Sequence, residues 1–67
     1  MISINLNGQT KQIAPGTTAA TLVGELGIGA RKFAVEVNRE VVSKDRLGEV
    51  TLSDGDEVNV VTLVGGG

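Results

Sequence analysis

Glu57-Val58-Asn59-Val60-Val61-Thr62-Leu63-Val64 is the stretch whose reading decides the architecture. In an extended chain successive side chains point to opposite faces. Val58, Val60, Thr62 and Val64 therefore share one face, and Asn59, Val61 and Leu63 share the other. Apolar residues on both faces mark a central strand. The preceding Ser53-Asp54-Gly55-Asp56 is a strong turn signal. The following Gly65-Gly66-Gly67 is a poor continuation, because a glycine run buries nothing and loses much backbone freedom if ordered. Such a run suits a carboxylate that must enter a narrow cleft, since no side chain blocks the approach. The plainer reading of those glycines is a frayed end.

The N-terminal part of the chain supplies neighbours for that strand. Ile2, Ile4 and Leu6 alternate with Ser3 and Asn5, the period of a half-buried strand. Asn7-Gly8 follows as a type I′ hairpin signal, since both residues tolerate positive φ. A two-residue loop pairs Leu6 with Gln9, Ile4 with Lys11 and Ile2 with Ile13; a bulged register would change those partners. The return strand, Gln9 to Ile13, is mostly polar and reads as an edge guarded by Lys11.

Ala14-Pro15-Gly16 stops that strand. Thr18 is placed to cap a helix whose stripe is Ala19, Leu22, Val23 and Leu26. Thr21 stands where a capping box wants Glu or Gln. Gly24 costs that helix about 1 kcal/mol relative to alanine. Gly27 is a natural stop, with Ile28 able to fold back. Gly29-Ala30-Arg31-Lys32 reads as a flexible, locally basic loop, solvated or able to hold phosphate.

Phe33, Val35 and Val37 define a third strand, Asn38-Arg39-Glu40 a turn, and Val41-Val42 a very short fourth strand. Ser43 to Glu49 is polar and irregular, anchored only at Leu47. Val50 and Leu52 lead into the turn before the final strand.

Assembled, these elements predict an α+β fold of the β-grasp (ubiquitin-like) kind: a mixed sheet of four to five strands with one helix packed on one face. The first and last strands lie side by side and parallel, joined by a right-handed crossover. Residues 1–67 form a single domain, with 64–67 a flexible C-terminal tail. One helix covers only one face of a small sheet. The other face is expected to expose Val61 or Leu63 near the tail, as a partner surface that includes Val64. The alternative is that Ser43 to Glu49 folds over them.

Composition narrows the chemistry. A domain of 67 residues buries only about 60% of its unfolded surface. It has no cysteine, hence no disulfide, thiolate metal site or side-chain persulfide. It has no histidine, the commonest general base and metal ligand. Net charge is -2, with the basic residues scattered at Lys11, Arg31, Lys32, Arg39, Lys44 and Arg46. That is no basic stripe for nucleic acid, and the single aromatic, Phe33, offers no stacking platform. No signal peptide, lipidation motif or membrane-spanning run is present, so a cytoplasmic location is expected. Asp54 and Asp56 could be a magnesium or acid–base pair, but across a glycine they read more simply as a turn. No phosphate-cradling glycine loop is present either. The inventory argues against an enzyme acting alone.

The order of these features resembles the ThiS-type, ubiquitin-like sulfur carriers of thiamine thiazole synthesis. It is carried by the Ile-x-Ile-x-Leu-Asn-Gly hairpin, Ala34-Val35-Glu36-Val37-Asn38-Arg39-Glu40-Val41-Val42, Leu52-Ser53-Asp54-Gly55-Asp56, and Val64-Gly65-Gly66-Gly67. Gly24 and the Arg31-Lys32 loop are local departures that leave the tail untouched. The resemblance implies a carrier with no bound cofactor. A ThiF-like adenylating enzyme uses ATP and magnesium to adenylate the Gly67 carboxylate. A sulfur donor protein displaces AMP to leave a thiocarboxylate, and thiazole synthase receives the sulfur. Gly65 and Gly66 then let the tail lie extended in the partner's channel. Carriers for molybdopterin, tRNA thiolation or cysteine synthesis share this chemistry. A ubiquitin-like modifier that joins lysines, and a β-grasp interaction module with a passive tail, are the competing classes.

Overall fold

A computed structural model describes residues 1–28 and 32–62. Five strands form one sheet: β1 (Ile2–Leu6), β2 (Gln9–Ile13), β3 (Phe33–Val37), β4 (Glu40–Val42) and β5 (Glu57–Thr62), in the order β2-β1-β5-β3-β4. β5 lies in the middle, as its two apolar faces require. It runs parallel to β1 and antiparallel to β3. The mixed sheet and the edge position of β2 agree with the sequence reading.

The first hairpin takes the two-residue register, pairing Ile2 with Ile13, Ile4 with Lys11 and Leu6 with Gln9. Asn7 and Gly8 have φ of 51° and 86°, the left-handed values that a type I′ turn demands. The bulged alternative is thereby excluded. The second hairpin uses the same device: Asn38 and Arg39 have φ of 52° and 70°, and Val37 pairs with Glu40. Glu40 therefore belongs to β4 and not to the turn. A turn with two left-handed residues needs no third, and its twist matches that of the strands it joins.

Helix α1 (Ala19–Glu25) is only seven residues long, too short to be stable on its own. Thr18 caps it, its Oγ1 accepting the Thr21 N–H at 3.2 Å. A short bridge between Thr18 and Thr51 ties down its entry. There the Ala19 N–H donates to Val50 O and the Leu52 N–H to Thr17 O, both at 2.9 Å. Ala19, Leu22 and Val23 are buried, but Leu26 is 37% exposed. The stripe loses its fourth member because the helix ends at Glu25 and Gly27, at φ 68°, turns the chain away. Ile28 packs against the core beyond that point.

The polar segment after β4 is a 3-10 helix, Lys44–Glu49, whose buried Leu47 joins the same core as α1. Its place beside α1 means that it covers the core face and leaves the other face of the sheet open. Ile4, Leu22, Val35 and Val58 are the largest fully buried side chains. Each contributes about 1.5–3 kcal/mol by leaving water. Lys44 Nζ sits 4.6 Å from the Phe33 ring centroid and covers half-buried Phe33 by a cation–π contact.

Candidate functional site

The face alternation of β5 is realised as the sequence requires. Val58 and Val60 are buried beneath α1, at 0% and 8% exposure, whereas Val61 is 54% exposed on the open face. Val61 stands directly across from Ala34 on β3. On β4 the open face adds Val41, 73% exposed and opposite Glu36. Val41 and Val61 are two strands apart, about 10 Å across the sheet. On the same face, polar Glu36 of β3 and Asn59 of β5 lie beside the two valines, and Ser3 and Asn5 lie on β1. The exposed large apolar residues of the open face are thus Val61, toward the C-terminal end of β5, and Val41, level with Asn59 two strands away. Val41 escaped the sequence reading as a surface residue; its signal was its place between Glu40 and Val42 in a three-residue strand, where one face must be open.

Leu63, Val64, Gly65, Gly66 and Gly67, the other expected site residues, lie outside the described residues, as do Gly29, Ala30 and Arg31 of the expected basic loop.

Two asparagines grip β5. At its start the Asn38 N–H donates to Glu57 O at 2.7 Å, and Asn38 Oδ1 accepts the Glu57 N–H at 3.0 Å. Further along, the Asn7 N–H donates to Val58 O at 2.9 Å. Asn7 Oδ1 accepts the Val60 N–H at 2.8 Å, and Asn7 Nδ2 donates to Val60 O at 3.2 Å. Sequence reading assigned Asn7 and Asn38 to turns and missed both grips, which join residues more than fifty and nearly twenty positions apart. An asparagine in a tight turn beside a strand is the signal that could have found them.

Asp54 and Asp56 are turn residues. Asp54 Oδ1 accepts the Ser3 N–H at 2.8 Å and Asp56 Oδ2 accepts the Ser53 N–H at 2.8 Å. Asp56 Oδ1 also accepts from Asn38 Nδ2 at 3.1 Å. Gly55, at φ 88°, sits between them, and the Asp56 N–H closes the turn onto Ser53 O at 3.0 Å. Carboxylates engaged with backbone donors in this way hold a loop rather than a substrate. Among the described residues no cluster of three or more metal-ligating side chains occurs. No helix among them is long and apolar enough to cross a membrane.

These features define a β-grasp domain of the ubiquitin-like class. The chain matches the model of the ThiS family over residues 4–67 and belongs to that family. The crystal structure of the thiamine biosynthesis protein ThiS from Geobacter metallireducens superposes with a TM-score of 0.83 at 28% identity, covering 98% of this chain and 100% of that one. The sulfur carrier protein ThiS of Bacillus subtilis is 34% identical over 96% of this chain and 98% of its own length. A thiazole synthase of Paramagnetospirillum magneticum is 40% identical over 92% of this chain, which spans only 19% of that much longer protein.

Proposed function

We propose that this domain carries sulfur as a thiocarboxylate on Gly67 for formation of the thiazole of thiamine. The observation that carries the reading is the family match, which spans residues 4–67 and so includes the three terminal glycines. A carboxylate is a poor acyl donor at neutral pH, because its leaving group would be oxide. A ThiF-like adenylating enzyme removes that obstacle by joining the Gly67 carboxylate to AMP, consuming ATP with magnesium and releasing pyrophosphate. Sulfur held on a donor protein then attacks the acyl carbon, the carbon–sulfur bond forming as the bond to AMP breaks. A thiol then cleaves the donor's bond to that sulfur, supplying the electron pair and ending as a disulfide, and the thiocarboxylate is freed. ATP and magnesium belong to the activating partner, and the domain itself holds no cofactor. The reading places the domain in the cytoplasm, where ATP is available.

The same reading gives the exposed end of β5 its role. Val61, with Leu63 and Val64, forms the apolar contact by which the activating enzyme and thiazole synthase hold the domain while Gly65 and Gly66 thread a channel. The relationship to a thiazole synthase supports the choice of acceptor.

The test is the mass of the intact protein after incubation with a ThiF-class enzyme, MgATP and a sulfur source. Exchange of one oxygen for sulfur at the terminus is the expected result. Lysine-linked adducts instead would identify a protein modifier, and an unchanged mass would leave a passive interaction module.

A further inference from the structure

β1 and β5 are parallel neighbours of unequal reach. β1 stops at Leu6, where the hairpin reverses, while β5 continues to Thr62. The parallel ladder should therefore run out at Val58, whose carbonyl takes the Asn7 N–H. It does not. Asn7 turns left-handed at φ 51°, so its backbone departs with the hairpin, and its side-chain amide takes the place of the next peptide. Oδ1 accepts the Val60 N–H at 2.8 Å and Nδ2 donates to Val60 O at 3.2 Å. An amide side chain carries the acceptor and the donor together, as a peptide group does. Both bonds are partly buried, where leaving their partners unmet is costly.

We propose that Asn7 is a positioning residue for the acyl site. Its amide holds β5 on the β1 side at Val60, so the segment leading to Gly67 starts from a fixed origin. This rests on the thiocarboxylate reading above. Seven residues, 61 to 67, follow Val60 and reach at most about 25 Å. Any loosening at Val60 passes to that whole reach, and the freedom gained must be given up again when the tail enters the partner's channel, which weakens binding. On the β3 side the pairing of Phe33 with Thr62 is independent of Asn7. Loss of the amide therefore frees one side of β5 without detaching the strand. If Asn7 serves only the turn, glycine should replace it without consequence, since glycine adopts positive φ at no steric cost.

Asn7→Gly decides between these roles: it retains the turn and the backbone bond to Val58 but removes both side-chain bonds. Amide hydrogen exchange on the whole chain should show Val60 losing at least about tenfold more protection than any loss shared by Ile4 and Val35. Nitrogen-15 relaxation at Val61 and Thr62 should show increased mobility. With a ThiF-class enzyme and MgATP, KM for the chain should rise about three- to tenfold with kcat within about twofold, as for a loss felt equally in substrate binding and in the transition state. Asn7→Asp, which keeps the acceptor for the Val60 N–H and loses the donor, should fall between the two. Unchanged exchange at Val60, an equal rise at Val35, or loosened Val60 with unaltered KM would each overturn the proposal. If the wild-type chain is not adenylated at all, the function reading fails by itself. Relaxation at Val61 and Thr62 in Asn7→Gly then decides the positioning claim: unchanged mobility overturns it and increased mobility supports it.

Discussion

Asp56 and Asn38 lock the turn before β5 to the turn after β3. Asn38 Nδ2 donates to Asp56 Oδ1 at 3.1 Å while Asp56 Oδ2 accepts the Ser53 N–H at 2.8 Å. One carboxylate thus closes its own turn and fixes the neighbouring hairpin. Asp56→Ala should lower unfolding stability by about 1–2 kcal/mol, the cost of losing charge-assisted bonds at a partly solvated site. Urea unfolding of the two proteins measures it. Sulfur loading of the folded variant should be unchanged, because the turn lies at the end of β5 away from the glycines.

Val58 and Val61 test the two faces of β5. Val58→Ala removes methyl groups from a fully buried site and should cost about 1–3 kcal/mol of stability. Val61→Asp alters an exposed position and should change stability by no more than about 0.5 kcal/mol. It should nevertheless weaken association with the adenylating enzyme by at least about tenfold, as a charge placed in an apolar contact does. Calorimetric titration against that enzyme, with thermal unfolding as control, separates the effects. Leu63→Asp should act like Val61→Asp; unfolding of that variant would place Leu63 in the core.

Deletion of Gly67 should leave thermal unfolding unaltered and abolish adenylation, read as ATP–pyrophosphate exchange. The residue carries no side chain for the core, and under the proposed function it is the acyl group itself. Retained exchange in the truncated chain would count against the carrier reading.

Gly24 and Gly27 differ in what alanine would meet. At Gly24 an added Cβ finds nothing within 4 Å, so Gly24→Ala should stabilise the protein by about 0.5–1 kcal/mol through helix propensity. Gly27 has equal space but φ of 68°, so Gly27→Ala should destabilise by about 1 kcal/mol. Thermal unfolding of the two variants should therefore shift in opposite directions.

How much of this was legible beforehand depends on the range of the interaction. The hairpin at Asn7-Gly8, the cap at Thr18, the two faces of β5 and the turn at Gly55 follow from neighbours a few residues apart. Side-chain alternation and positive φ are local properties, and a single chain displays them. The terminal glycines were conspicuous for the same reason. Leu26 was misjudged because a helical stripe does not reveal where Gly27 will turn the chain. The 3-10 helix was read as irregular because its one anchor, Leu47, finds its place only against α1.

What the chain alone determined, then, was the inventory of elements and which side of each strand is apolar. Tertiary structure decided which groups from distant segments meet: that Ser43 to Glu49 packs beside α1 and leaves Val61 open, and that Asn7 reaches Val60. Hydrogen bonds across fifty residues depend on the strand order and register, and those are settled only when the whole sheet closes over one core.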